Sequence, residues 1–413
     1  MATSHDPARG AAAKIRIGAW SDDRELALEF PAGWQVAVCA PRDGRDIGDA
    51  GVRAAFERPI GAPRLRELAR GRRRPCIVID DLTRPTPGRR LVPAVLEELR
   101  EAGIEARDVL VLAGVANHRP MARPDFERKV GAEVLAACRT ANHFSWDACV
   151  RIGTTSRGSP VEINAEFLAA DLRILVGSII PHAGTGFSGG SKLLFPGIAS
   201  IASAEAFHRG SASRGRFAVA ESEARLEADE AARMARVDFL VNSIPSSRMQ
   251  IAGLVTGDVV AAHRAGVEIA RRVFATPTPA GQDACVLSLY PKDGEFLQHL
   301  TAFAPWATAP ERIVREGGSV VVALEGGEGL GHHSLFGPGM RLAAPHATRL
   351  RGRELAFFAP CVERGSLPDA VRDETRLFRS WGETLAWLAA RHGDAASVAV
   401  FPCATLQLAE GGC

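Results

Sequence analysis

The sequence predicts an α/β protein of two domains: a larger, mostly parallel sheet with helices on both faces, then a smaller α/β domain. Three observations predict it. Continuous apolar runs such as CIVI, VLVLAG and ILVGSII alternate with amphipathic stretches, of about ten to fourteen residues, which is the pattern of βαβ units. Strands apolar along their whole length belong to sheets covered on both faces. The length of 413 residues suits two or three domains at roughly 150 residues each, and ATPTPAGQD at 275–283 is the best linker, because proline and glycine deny it helix and ladder hydrogen bonds alike.

Taken in order, Leu26–Phe30 and Val36–Cys39 read as short strands before the polar turn PRDGRD. Asp49–Phe56 and Arg64–Ala69 read as helices joined through Pro59–Gly61. CIVID (Cys76–Asp80) is a buried strand ending in carboxylates, LVPAVLEELREAGI a helix, and DVLVLAGV (Asp108–Val115) the next strand. Phe126–Cys138 reads as one helix, Cys149–Thr154 as a strand, Asn164–Ala170 as a short helix and Leu172–Ile180 as a strong buried strand. A charged amphipathic helix over Glu221–Ala235 precedes strands at Phe239–Ile244 and Met249–Val255 and a helix at Val259–Phe274. Beyond the linker come strands at Cys285–Leu289, Ser319–Leu324, Ala356–Phe358 and Ser397–Pro402, with helical turns at Phe296–Phe303 and a helix at Thr384–Arg391. The expected division is 1–275 and 276–413, the last strand being free to join either part.

Charge and composition exclude several function classes. Lys+Arg 50 against Asp+Glu 48 leaves a net charge of +2, too little to call for nucleic acid or an acidic membrane surface. No run of 18 apolar residues provides a membrane span, and MATSHDPARGAAAK lacks the apolar segment of a secretory signal. The eight cysteines are scattered without a CxxC pair, and Cys76, Cys149 and Cys285 sit in apolar, strand-like runs. That usage fits a reduced, cytoplasmic protein.

Open α/β sheets bind ligands beyond the carboxyl ends of their strands, and polar groups gather there repeatedly. Asp80-Asp81-Leu82-Thr83-Arg84 follows CIVI, Asn117-His118-Arg119 follows VLVLAG, and Pro181-His182 follows ILVGSII. Arginine can hold a carboxylate through two hydrogen bonds, and histidine takes and returns protons near neutrality. Each has a plain structural reading as well: the aspartates cap a turn, the histidines decorate loops, Arg84 makes an ion pair. The three loops meet at one rim only if their strands are parallel neighbours.

The stretch PHAGTGFSGGSKLLFPG (181–197) is sharper. Glycines let successive backbone N–H groups curl around an anion, and Lys192 can neutralise it. The string breaks the Walker A pattern, since Ser191 precedes the lysine and Leu193 follows it, and its GxGxxG letters lack a dinucleotide-binding context. A phosphate cradle of Gly189, Gly190 and Ser191 with Lys192 is the reading that survives. His208 closes the helix-like SIASAEAFHRG; no local partners complete a zinc pattern around it, which leaves a metal that needs one protein ligand.

Together these motifs resemble the lactate racemase family, whose members carry a nickel-pincer nucleotide. The resemblance runs through PIGAPRLRELARG (59–71), DDLTRPTP, HRPM, TTSRGSPVEIN and IIPHAGTGFSGGSKLLFPG with the following His208. It begins near residue 16 and weakens beyond 300. It implies a racemase or epimerase that inverts C2 of a 2-hydroxy carboxylic acid by reversible hydride transfer. It assigns Lys192 as the covalent anchor of the cofactor, His208 as the nickel ligand, and His118 and His182 as acid and base. Asp81 and Thr83 would lie beside the cofactor, with Gly189, Gly190 and Ser191. Arg84, Asn117, Gln298 and Thr301 would face the substrate, in a cleft between the N-terminal, cofactor-binding domain and the C-terminal one.

The chain also departs from the family pattern. Thr301 stands where the lactate enzyme has a lysine, Ala116-Asn117 replaces the glycine before the first histidine, and His143 is followed by Phe144, with Asp147 later. Losing a positive charge favours a substrate larger or more polar than lactate. The implied partners are a small 2-hydroxy acid and the cofactor-making enzymes, with no nucleic acid and no membrane, and with room for a homodimer. A non-catalytic carrier or maturation protein for the phosphorylated cofactor, or a lyase-like enzyme acting on a sugar acid, would use many of the same motifs. Retention of both His118 and His182 speaks for an enzyme over a carrier.

Overall fold

The computed structural model describes residues 11–214, 217–344 and 346–411, and these form two compact units. One comprises 43–274 together with His332–Leu335; the other takes the described residues up to Arg42, then 275–331 and those from Phe336 on. Among the described residues, no helix is long and apolar enough to cross a membrane.

The 43–274 unit is built on six strands in the spatial order Ile251–Gly257, Phe239–Pro245, Leu172–Ser178, Pro75–Ile79, Leu110–Ala113 and Arg139–Asn142. Every pairing is parallel except that of the first two. The central strands are apolar because both their faces are covered: Pro75–Ile79 and Leu110–Ala113 are buried at every position. Helix Gly88–Glu101 lays Leu91, Val92, Val95 and Leu99 on one face, and these join Ile77, Ile79, Val111 and Ile174 in a single core. From Pro75–Ile79 the chain builds outward one way through Leu110–Ala113 and the other way to Leu172–Ser178. The strand order therefore reverses at Pro75–Ile79, which makes its carboxyl end the topological switch point of the sheet.

The other unit carries a second, wholly parallel six-stranded sheet, ordered Leu377–Phe378, Glu354–Phe358, Val314–Ala323, Gln282–Ser288, Ser397–Phe401 and Gln35–Val38. The final strand thus settles in this unit. So do the first strands, contrary to the expected 1–275 domain. Gln35–Val38 pairs with Ser397–Phe401, and Leu28, Phe30 and Trp34 share a core with Val286, Val398 and Val400. Partner choice between short strands is a long-range property that local pattern does not carry. The hairpin strand Ala12–Ile17, which the sequence reading passed over, buries Ala13, Ile15 and Ile17 in strict alternation.

Two local expectations change. The single helix over 126–138 is two, Arg123–Val130 and Ala132–Ala137, parted at Gly131 with φ 91°, a conformation that ends helices and favours glycine. The helix bearing His208 extends over Ile201–Arg214, so His208 lies within it rather than at its end.

Candidate active site

The polar loops do converge, because Leu172–Ser178, Pro75–Ile79 and Leu110–Ala113 are adjacent parallel strands. Asp80 and Asp81 leave the central strand at the switch point, and both are buried. The Asp80 carboxylate pairs with the Lys129 ammonium at 2.7 Å and accepts the Thr86 hydroxyl. Lys129 also donates to the carbonyls of Asp81 and Arg84, both at 2.8 Å. One fully buried ammonium therefore clamps the whole DDLTR turn. Burial lowers the Lys129 pKa, with Asp80 and Asp81 working the other way.

Asp81 holds the first histidine. Its Oδ2 lies 2.6 Å from His118 Nδ1, and its Oδ1 accepts the Thr83 amide at 3.0 Å and the Thr83 hydroxyl. Burial alone would raise the Asp81 pKa, but His118, the Arg84 guanidinium and Thr83 outweigh it and hold the carboxyl well below the usual range. An ionised Asp81 places the proton on His118 Nδ1 and leaves Nε2 as the nitrogen that exchanges protons. The chain reaches His118 through a sharp turn: Ala116 has φ 51°, its amide donates to Gly197 O at 3.0 Å, and the His118 amide donates to Val115 O at 2.8 Å. Asn117, between them, is buried with neither end of its carboxamide hydrogen-bonded to protein.

The glycine-rich turn has a different use from the one its letters suggest. Gly189 and Gly190 have φ of 71° and 56°, a region that suits glycine. A Cβ on Gly190 would stand 2.7 Å from the His263 ring, and one on Gly189 2.5 Å from Asn242 Oδ1. The Gly190 amide donates to Asn242 at 2.7 Å and the Ser191 hydroxyl to Asp229 at 2.6 Å. Arg225 donates to the carbonyls of Gly189, at 3.0 Å, and Phe187, and His263 bonds Ser188 O at 2.9 Å. The Gly190 amide and the Ser191 hydroxyl are thus engaged in holding the turn that presents Lys192.

These elements line a small, open pocket of about 40 Å³, bounded by Asp80, Asp81, Arg84, Gly114, Ala116, His118, Ser188, Gly189, Lys192, Leu193 and Gly197. Burial, then the positive charges of Arg84 and Arg225, push the Lys192 amine down to about 7. Burial, then Lys192 and His118, push His208 down to about 3. At neutral pH His208 is therefore an uncharged imidazole, the form that binds metals. Arg84 directs one nitrogen to the carbonyl and hydroxyl of Thr83, at 3.1 and 2.7 Å. His182 lies on the short strand Pro181–His182, paired with Gly186–Phe187, and its Nδ1 accepts the Gly184 amide at 3.0 Å. That tautomer leaves Nε2 as its proton-carrying nitrogen.

Gln298 and Thr301 belong to the other unit, in the helical turn Phe296–Phe303. There Gln298 donates to Glu295 at 2.9 Å and the Thr301 hydroxyl to Gln298 O at 2.8 Å. His143, near one of the departures noted above, is buried, bonded to Ala199 O at 2.9 Å and held near pKa 4 by burial; its role is structural. The supporting residues that sequence reasoning missed are Lys129, Arg225 and Asp229. The available signal for Lys129 was its place beside Phe126 and Val130 on the inward stripe of its helix.

A histidine steadied by a carboxylate, with a low-pKa lysine in the same pocket at the switch point of a parallel sheet, defines a class: an α/β protein equipped for proton transfer and for covalent attachment through an amine. Comparison with known proteins narrows it. Residues 22–218 match the lactate racemase N-terminal domain. The lactate racemase of Lactiplantibacillus plantarum is 30% identical over 298 residues, 68% of this chain and 68% of that protein. That of Thermoanaerobacterium thermosaccharolyticum is 30% identical over 293 residues, 69% and 67% respectively. Among solved structures, the lactate racemase apoprotein from T. thermosaccharolyticum matches with a TM-score of 0.76 over 96% of this chain and 100% of that one, at 23% identity. A Thermotoga maritima protein matches with a TM-score of 0.63 over 86% of this chain and 100% of its own, at 16% identity. The chain belongs to the lactate racemase family, and this kinship supports an enzymatic activity of the racemase kind.

Proposed function

We propose that the chain is a racemase or epimerase that inverts C2 of a 2-hydroxy carboxylic acid, using a nickel-pincer nucleotide tethered to Lys192. The observation that carries this reading is Lys192 itself: an amine brought to about 7 in the pocket that also holds the Asp81–His118 pair. The donor set fits the group. An amine uncharged near neutrality can form an amide-like bond that an ordinary lysine cannot form as readily, and His208 offers one neutral imidazole. Among the described residues, no group of three His, Cys, Asp or Glu could hold a metal by itself, so the remaining ligands would come with the cofactor. When bound, that group supplies a hydride acceptor and donor at the substrate carbon.

The protein's part is positioning and proton transfer. His118, its Nδ1 fixed by Asp81, takes the proton of the C2 hydroxyl at Nε2, and His182, whose Nε2 carries a proton while Nδ1 accepts from Gly184, is the acid that returns a proton to the substrate oxygen. An acid–base group of this kind contributes roughly 10² to 10⁴ in rate. Arg84, on the pocket wall, pairs with the substrate carboxylate, and the Asn117 carboxamide suits a further polar group on the substrate. The test is intact-mass and nickel analysis of protein produced beside the cofactor-making enzymes. The parent should carry an adduct on Lys192 and one nickel, and Lys192→Ala neither. An adduct that persists in the variant, or an active parent without one, would exclude this chemistry.

A further inference from the structure

The stretch GLGHHSLF, at 329–336, has no part in the site as drawn above. Yet His332–Leu335 cluster with the 43–274 unit, while the chain on either side folds with the other. Local contacts hold these four residues in place. The Ser334 amide donates to Asn117 O at 2.7 Å, one residue before His118. Leu335 is buried, and its amide donates to His333 Nδ1 at 3.2 Å, which sets the orientation of that ring. The His333 ring stands edge-to-face against His118, with centroids 5.2 Å apart, and against His208, at 6.0 Å. Phe207 packs on the His208 ring as well, at 5.7 Å, and His333 touches both histidines.

We propose that His333 is a positioning residue for His118 and His208, the ring that fixes where the base and the proposed metal ligand stand relative to each other. The hydrogen bond that His118 donates to Asp81 fixes one atom of the ring and leaves the ring able to swing about it. An edge-to-face neighbour removes that freedom, since aromatic pairs favour defined interplanar angles. The same ring packs edge-to-face on His208 and so restrains its plane as well. Misplacement of such groups by about 1 Å can cost on the order of 10²-fold in rate.

The role rests on the function proposed above, so the test has one arm that needs no turnover. In the protein without cofactor, deuterium exchange at the imidazole Cε1–H of each histidine, read by mass spectrometry, should accelerate several-fold at His118 and His208 in His333→Ala. His333→Phe, which keeps a ring, should exchange like the parent, and His333→Leu serves in place of the alanine variant if that one does not fold. In cofactor-loaded protein, His333→Ala should lower kcat roughly 10- to 100-fold with KM within about threefold, and His333→Phe should restore most of the loss. Unchanged exchange or unchanged kcat in His333→Ala overturns the proposal, and so does a phenylalanine variant no better than the alanine one. A parent inactive on every hydroxy acid would refute the proposed function, while the exchange arm would still decide the wedge.

Discussion

Lys192 should acylate at a pH where lysines are normally inert. The chain has four lysines, Lys14, Lys129, Lys192 and Lys292, so each can be followed separately. Lys14 is exposed, whereas Lys129 and Lys292 are buried. An ordinary amine with a pKa near 10.4 is only ~0.1% uncharged at pH 7.5. With its pKa at about 7, Lys192 would be roughly three-quarters uncharged there, by the same relation. Limiting acetic anhydride, with peptide mass analysis across pH 5.5 to 10, should give a Lys192 labelling curve half-maximal near pH 7 and flat above about pH 8.5. A free alkylamine labelled in the same tube should still climb through pH 9 to 10. The same displacement has a stability consequence. Between about pH 7 and 10.5 the unfolded chain binds the proton that folded Lys192 has given up, so this residue's contribution to stability improves as pH rises through that window. Lys192→Met should therefore raise Tm more at pH 6 than at pH 9. A Lys192 curve that tracks the free amine, with no plateau below pH 9, would refute the reasoning about the pocket's electrostatics.

Three further perturbations separate chemistry from scaffold. Asp81→Asn keeps the shape but frees His118 to take the wrong tautomer, and kcat should fall ~10²- to 10⁴-fold while nickel content and adduct mass stay at parent levels; loss of the adduct would contradict it. Lys129→Met leaves Asp80 buried without its ion pair and should destabilise by ~3–5 kcal/mol in urea unfolding, where a loss under 1 kcal/mol would show the clamp to be dispensable. Gly190→Ala places a Cβ against His263 at a left-handed φ, at a cost of ~1–3 kcal/mol, visible as a lowered Tm.

Sequence pattern carried the site because the site is local to strand ends. An apolar run followed at once by DD, NH or PH reads directly as a sheet's carboxyl rim, and the strand order then brings Asp81, His118 and the Lys192 turn together. What supports those residues was less legible. Arg225 and Asp229 lie on a helix that reads as charged and amphipathic, yet both are buried on its alanine-rich side, where they bond the Lys192 turn. No local pattern distinguishes a buried arginine from a solvated one. The SGGS letters of 188–191 suggested donors turned outward, whereas the Gly190 amide and Ser191 hydroxyl serve Asn242 and Asp229, residues about forty to fifty positions later. Pairing of Gln35–Val38 with Ser397–Phe401 spans most of the chain and lies beyond any window of local periodicity.

The account's central claim is inversion of a 2-hydroxy acid with return of its own hydrogen. It is tested most directly by incubating cofactor-loaded protein with single-enantiomer 2-hydroxy acids in deuterated water, following chirality and C2 label together. The panel should include lactate, glycerate, an aldonic acid and malate. The account predicts inversion of at least one acid with the C2 protium largely retained. Inversion accompanied by extensive C2 deuteration would contradict it, as would a wholly silent panel from protein whose Lys192 adduct and nickel have been verified.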